Sequence, residues 1–192
     1  MTPPNLQQLE HAILYGDRRL VSWMLDTHPD LSKARFLDNL DLTPLMWACR
    51  NRRESIVAEL LGRGADPTLR NRLEQNGDGN NTALWFTGQG PMAGTTGIAQ
   101  RLITAGARVN DICEHGQTAL YIAAAWCHLD LVQLLIDSGA DASIPNTSGQ
   151  TPLAMLHANL QHLAGQSSLS QDQRRFTQRA PRVIAFLEST AV

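Results

Sequence analysis

The chain has 192 residues, 43% of them hydrophobic and 18% charged, with a formal net charge of −2. That is the composition of a folded, soluble chain long enough for a single domain, residues 1–192, around one continuous core. The near-neutral balance argues against a general nucleic-acid-backbone binder, which needs a basic face, and no apolar run approaches the roughly 18–20 residues of a membrane helix.

Residues 5–35 hold a blurred copy of a pattern that later segments state more sharply. Leu9, Ala12-Ile13 and Gly16 read as a first helix and its turn, and Leu20-Val21 with Met24-Leu25 as a second helix. Asp30 falls where Asp66 and Asp141 fall later. Residues 38–70, 76–110, 113–145 and 146–190 each open on one triplet: Thr43-Pro44-Leu45, Thr82-Ala83-Leu84, Thr118-Ala119-Leu120 and Thr151-Pro152-Leu153. The Thr hydroxyl is placed to accept from a free backbone N–H of the first helical turn. Pro44 and Pro152 then stand at the first helical position, where a missing N–H costs nothing. Small residues such as Ala48-Cys49 and Ala123-Ala124 allow close helix approach. A second helix is predicted from paired apolar positions four apart: Ile56-Val57 with Leu60-Leu61, Ile98-Ala99 with Leu102-Ile103, Leu131-Val132 with Leu135-Ile136. Gly64, Gly106 and Gly139 follow three residues later, where a left-handed residue ends a helix. In the last segment Val183, Phe186 and Leu187 supply the second stripe.

Thr118 to Thr151 and Gly106 to Gly139 are both 33 residues apart. With Gly64-Ala65-Asp66, Gly139-Ala140-Asp141, Gly106 to Asn110, and the turns Gly116-Gln117-Thr118 and Gly149-Gln150-Thr151, these motifs resemble the ankyrin repeat family across about residues 6–190. The resemblance implies an all-α ankyrin repeat solenoid of stacked helix-turn-helix units with projecting hairpins or loops, and a concave face that binds protein. The His that usually follows Thr-Pro-Leu is replaced by Met46, Trp85, Tyr121 and Ala154. The terminal segments are degenerate, as caps with one wet face must be.

The period breaks in the third segment. Gly64 to Thr82 is 18 residues against 12 in the regular segments, and Thr82 to Gly106 is 24 against 21. The extra residues fall in loops 71–81 and 87–97, and insertions in such arrays map to loops, often on the binding face. The last segment is stretched too. Ser170 and Gln173 have capping-box spacing, which predicts an added helix from about residue 171, and Pro181 is expected to restart a final one. Arg174, Arg175, Arg179 and Arg182 make this end basic, which reads as a solvated cap.

Chemistry finds little support. Asn76-Gly77-Asp78-Gly79-Asn80 offers alternating oxygens, but Thr87 stands where a calcium loop needs Glu. Gly88, Gly90 and Gly94 lack the strand and the Lys of a phosphate loop. His157 and His162 diverge around a helix, and His115 and His128 read as surface or turn residues. Cys49, Cys113 and Cys127 cannot all pair and lack metal spacing. With no basic start and apolar run at the N-terminus, a reduced, cytoplasmic setting is expected.

The reading is therefore a monomeric, non-enzymatic protein-binding module with no cofactor, no metal and no nucleic-acid or membrane partner. It acts as an inhibitor or immunity-type partner, an adaptor or a host-directed effector. The other reading is a small-molecule or metal-binding activity centred on loops 71–81 and 87–97. Trp47 and Phe86 are assigned to the core. The resemblance puts Asn39, Asp78, Asn81, Glu114, His115, Gln117 and Ser148 at the variable turns of the binding face. Trp85, Tyr121 and Trp126 are the expected aromatic anchors.

Overall fold

The computed structural model describes residues 5–36, 40–72, 79–91, 95–166 and 168–190. Among these described residues ten helices run in chain order: α1 Leu6–Tyr15, α2 Arg18–Thr27, α3 Pro44–Arg50, α4 Glu54–Gly62, α5 Ala83–Gly88, α6 Thr96–Thr104, α7 Ala119–Ala125, α8 Leu129–Asp137, α9 Pro152–Ala164 and α10 Gln171–Thr190. Short 3-10 turns at Pro29–Lys33 and Glu114–Gly116 complete the described elements. Among the described residues, Phe36 bridges antiparallel to Leu42 and Arg70 to Thr82. The fold is all-α.

Each Thr acts as the sequence predicts. Thr43, Thr118 and Thr151 accept from the backbone N–H of Met46, Tyr121 and Ala154 at 3.1–3.2 Å. Thr82 accepts from Trp85 at 3.3 Å. Gly64, Gly106 and Gly139 have φ of +80°, +98° and +88°, the left-handed geometry that closes the second helix. Ile56, Val57, Leu60, Ile98, Ala99, Leu102, Leu131, Val132 and Leu135 are all buried, whereas Leu61, Ile103 and Ile136 are half-buried. Each stripe therefore has one core-facing edge and one wetter edge.

The chain divides into two compact units, residues 1–87 with 97–108, and residues 88–96 with 109–192. In the first unit α1 packs on α2 and α3, and α3 on α4. Asn5 and Gln8 form a capping box that starts α1. Trp47, buried as expected, donates its indole N–H to the Glu10 carbonyl at 3.1 Å, tying α3 to α1. Arg18, Ser22 and Arg63 surround Glu59, linking α2 to α4.

In the second unit α7 packs on α8 and α9, and α10 on α9 and α8. Adjacent repeats are also stitched by polar bonds. Asn110 donates to the Gly139 carbonyl at 3.0 Å and accepts from the Asp141 N–H at 2.8 Å. Ser170 and Gln173 form the predicted capping box. The final helix departs from expectation. Pro181 does not restart it, because α10 runs unbroken through Pro181. Ala180, Val183, Ile184 and Leu187 are buried on both sides of the proline, so packing holds the two halves in line despite the lost N–H.

Candidate functional site

The residues expected at the binding face have separate fates. Asn39 and Asp78 lie outside the described residues, as does most of loop 71–81. Asn81 is buried, its N–H held by the Asn71 side chain at 2.7 Å. Trp85 is buried at 5% exposure, and Phe86 packs edge-on against it with ring centres 5.2 Å apart.

Tyr121 is also buried, and its hydroxyl accepts from the Asn146 side-chain amide at 2.9 Å. The side-chain oxygen Oδ1 of Asn146 in turn accepts from the N–H groups of Ser148 and Gln150. Tyr121 thus clamps the next turn, a link from the position where the family usually has His. Burial raises its phenol pKa above the ordinary value, with the Asn146 bond acting in the other direction.

Glu114, His115, Gln117 and Ser148 do come together at the tips of two adjacent turns. The Thr147 N–H donates to the His115 carbonyl at 2.8 Å. His115 and Ser148 are exposed, Glu114 and Gln117 half-buried, and His115 Nε2 lies 3.1 Å from the Glu114 carboxylate.

At the opposite end of α7 stands Trp126, exposed to 40%. Here the second unit brings together three features, of which the first and third depart from the regular repeat. The first is the inserted turn after α5. Gly88 lets it lie directly on α7, since a Cβ there would meet the Ala123 nitrogen and Ile122 Cγ2 at 3.0 Å. His128 lies in the α7–α8 turn, one of the two placements expected for it, but is buried rather than at the surface, and its Nε2 sits 2.8 Å from the Gly90 carbonyl oxygen. A carbonyl only accepts, so Nε2 bears the proton in this bond. The second feature is the α7–α8 turn with Trp126. The third is α10, the added length of the last repeat.

Together these elements line a groove of two lobes. One, of about 120 Å³, lies among Pro91, Trp126, Asp172, Arg175 and Phe176. The other, of about 180 Å³, lies among Thr95, Thr96, His128, Asp130 and Arg182. Arg179 borders both. Arg175 Nη1 is 3.6 Å from Asp172, while Arg179 and Arg182 are exposed and in no ion pair among the described residues. Arg175, Arg179 and Arg182 are spaced by four and three, which places them on one helical stripe.

Cys127 borders the second lobe. Burial pushes its thiol up to about 11, against the opposing pull of the Arg179 guanidinium. Cys49 is fully buried and its thiol is raised further by desolvation. Among the described residues no three His, Cys, Asp or Glu side chains are grouped to hold a metal ion, and no helix is long and apolar enough to cross a membrane. The first unit has larger hollows among its described residues, of about 400 Å³ beside Tyr15, Leu20 and Trp23, about 570 Å³ between α4 and α6, and about 250 Å³ beside Thr43 and Gly64. None of these involves Trp126 or the basic stripe.

Comparison with known proteins agrees with this architecture. A family model described as ankyrin repeats (3 copies) matches residues 6–71 and again 72–165. The chain belongs to the ankyrin repeat family. It is 29% identical to human NF-kappa-B inhibitor alpha over 140 residues, covering 70% of the chain and 42% of that protein. It is 45% identical over 56 residues to ankyrin repeat protein L86 of Acanthamoeba polyphaga mimivirus, covering 27% of the chain and 10% of that protein. It is 32% identical over 60 residues to the ankyrin repeat-containing protein P1E11.10 of Schizosaccharomyces pombe, covering 31% of the chain and 29% of that protein. The chain thus spans less than half the length of each of these relatives. Ankyrin repeats make this a protein–protein interaction module.

Proposed function

We propose that this ankyrin protein works without catalysis, by occupying a protein partner, and that the groove between the inserted turn, Trp126 and α10 is its principal contact. One observation supports this most: the exposed indole of Trp126 stands among the irregular elements of the array and lines one lobe with Arg175 and Arg179. Trp and Arg are the residue types that most often dominate interface energy. The exposed turn tips at His115 and Ser148 form a second, more polar contact of the kind expected on an ankyrin concave face. The name of NF-kappa-B inhibitor alpha describes a protein that restrains another protein, and stoichiometric restraint is the mode of action we assign to this chain.

The test is affinity capture from the native cell with wild-type chain and with Trp126→Ala. The wild type is expected to retain a stoichiometric partner that Trp126→Ala loses, with an unchanged melting curve. Equal retention by both chains would remove the groove from the interface. Trimming residues 74–79, on the other inserted loop, asks separately whether that loop contributes; the expected outcome is a lower affinity at nearly constant stability.

A further inference from the structure

We infer that the groove selects an extended, acidic segment of the protein partner, an assignment that rests on the groove being the partner-binding surface. Its size is the first argument. Lobes of about 120 and 180 Å³ each have room for one side chain rather than for a helix or a folded edge. A linear peptide would therefore seat two side chains, one in each lobe, with Arg179 between them.

Charge is the second argument. The whole chain has a net charge of −2, yet Arg174, Arg175, Arg179 and Arg182 are concentrated within residues 174–182 of α10. Arg174 turns its Nε to the Leu169 carbonyl and Arg175 is shared with Asp172. Arg179 and Arg182 keep their guanidinium donors open, and the planar guanidinium fork matches a carboxylate with two parallel hydrogen bonds. Trp126 and Phe176 border the smaller lobe and fit an apolar side chain from the same segment.

The two groove carboxylates separate the peptide from a nucleic-acid strand. Arg residues beside an aromatic also suit single-stranded DNA or RNA. Asp130 and Asp172, however, stand in the same lobes and would repel a phosphate track. A peptide brings backbone N–H donors from which those carboxylates can accept, whereas a DNA strand brings none on its backbone and RNA only its 2′-hydroxyls.

The experiment is fluorescence anisotropy with the full chain and three labelled probes: the peptide Glu-Glu-Phe-Glu-Glu-Leu, its counterpart with lysine for glutamate, and oligothymidylate. The acidic peptide is expected to bind, and to bind more weakly as salt is raised. Arg179→Glu with Arg182→Glu is expected to weaken it by about tenfold or more, while Arg179→Lys with Arg182→Lys, keeping charge but losing the fork, falls between. Both pairs are exposed, and unchanged melting curves establish that each variant is folded. Equal binding of the lysine peptide, preference for the oligonucleotide, or indifference to charge reversal would overturn the assignment. The underlying reading fails differently: partner capture that survives Trp126→Ala removes the groove itself. Capture that needs Trp126 but tolerates reversal of both arginines removes only the acidic preference.

Discussion

Tyr121 lies within the seven-residue helix α7 and Trp126 caps its end, and both are expected from the sequence as aromatic anchors for a partner. Their surroundings give them different work. Tyr121 is buried and its hydroxyl holds Asn146, whose other amide atom organises the next turn. Trp126 ends α7 and keeps much of its ring in water. Tyr121→Phe should therefore leave Asn146 short of a partner and cost about 1 kcal/mol, the net worth of one hydrogen bond. Chemical denaturation would show it as a lower midpoint with unchanged slope, while partner affinity stays at the wild-type value. Trp126→Ala should reverse the pattern, with stability within about 0.5 kcal/mol of wild type and the partner lost. An equal stability loss from both substitutions would mean that the Trp126 ring packs a core.

Helices and caps were legible because their signals are local. A Thr before a small apolar run, a stripe with period near four, and a glycine three residues on each act within one or two turns. α10 was less legible, since Pro181 is by local rules a helix break. Burial of Ala180, Val183, Ile184 and Leu187 decides otherwise, and burial is a tertiary quantity. The same holds for the pair α2 and α4. Glu59 accepts from Arg63 at 2.8 Å, Arg18 at 3.2 Å and Ser22 at 3.2 Å, and Arg63 also meets Asp26 at 2.7 Å. These bonds, that of Arg63 first, hold the Glu59 pKa below its ordinary value. A carboxylate with a depressed folded pKa stabilises the fold above its unfolded pKa and loses that contribution as pH falls through the folded value. Glu59→Gln should thus cost about 1 kcal/mol near neutrality, a modest figure because Arg18 is largely exposed. Thermal melts of both chains should converge as pH drops below about 4.3, the unfolded glutamate range. A gap that persists into strong acid would show that shape, not charge, makes Glu59 matter.

The groove could not be read from local signals in this way. Pro91, Trp126 and Arg179 are separated by more than thirty residues at each step, and they meet only because α7 packs on α8 and α9, and α10 on α9 and α8. Counting residues revealed that the third and last repeats are irregular; packing alone reveals that one inserted turn and the added helix share a surface. This dependence is testable through the cores. Leu60 on α4 and Leu135 on α8 are both fully buried, one in each compact unit. Truncation of either to Ala should cost about 2–5 kcal/mol, a large part of the about 5–15 kcal/mol that holds a domain together. In a repeat array stability is a sum of unit and nearest-neighbour contributions, so the loss is felt first where it is made. Hydrogen exchange in Leu135→Ala should quicken at the amides of α7–α10 and stay near wild type in α1–α4, and Leu60→Ala should show the reverse. Uniform loss of protection after either change would mean that the repeats open as one cooperative block. Because the groove is built on α7, α8 and α10, Leu135→Ala should also weaken partner binding as temperature rises, at temperatures where Leu60→Ala still binds as wild type does.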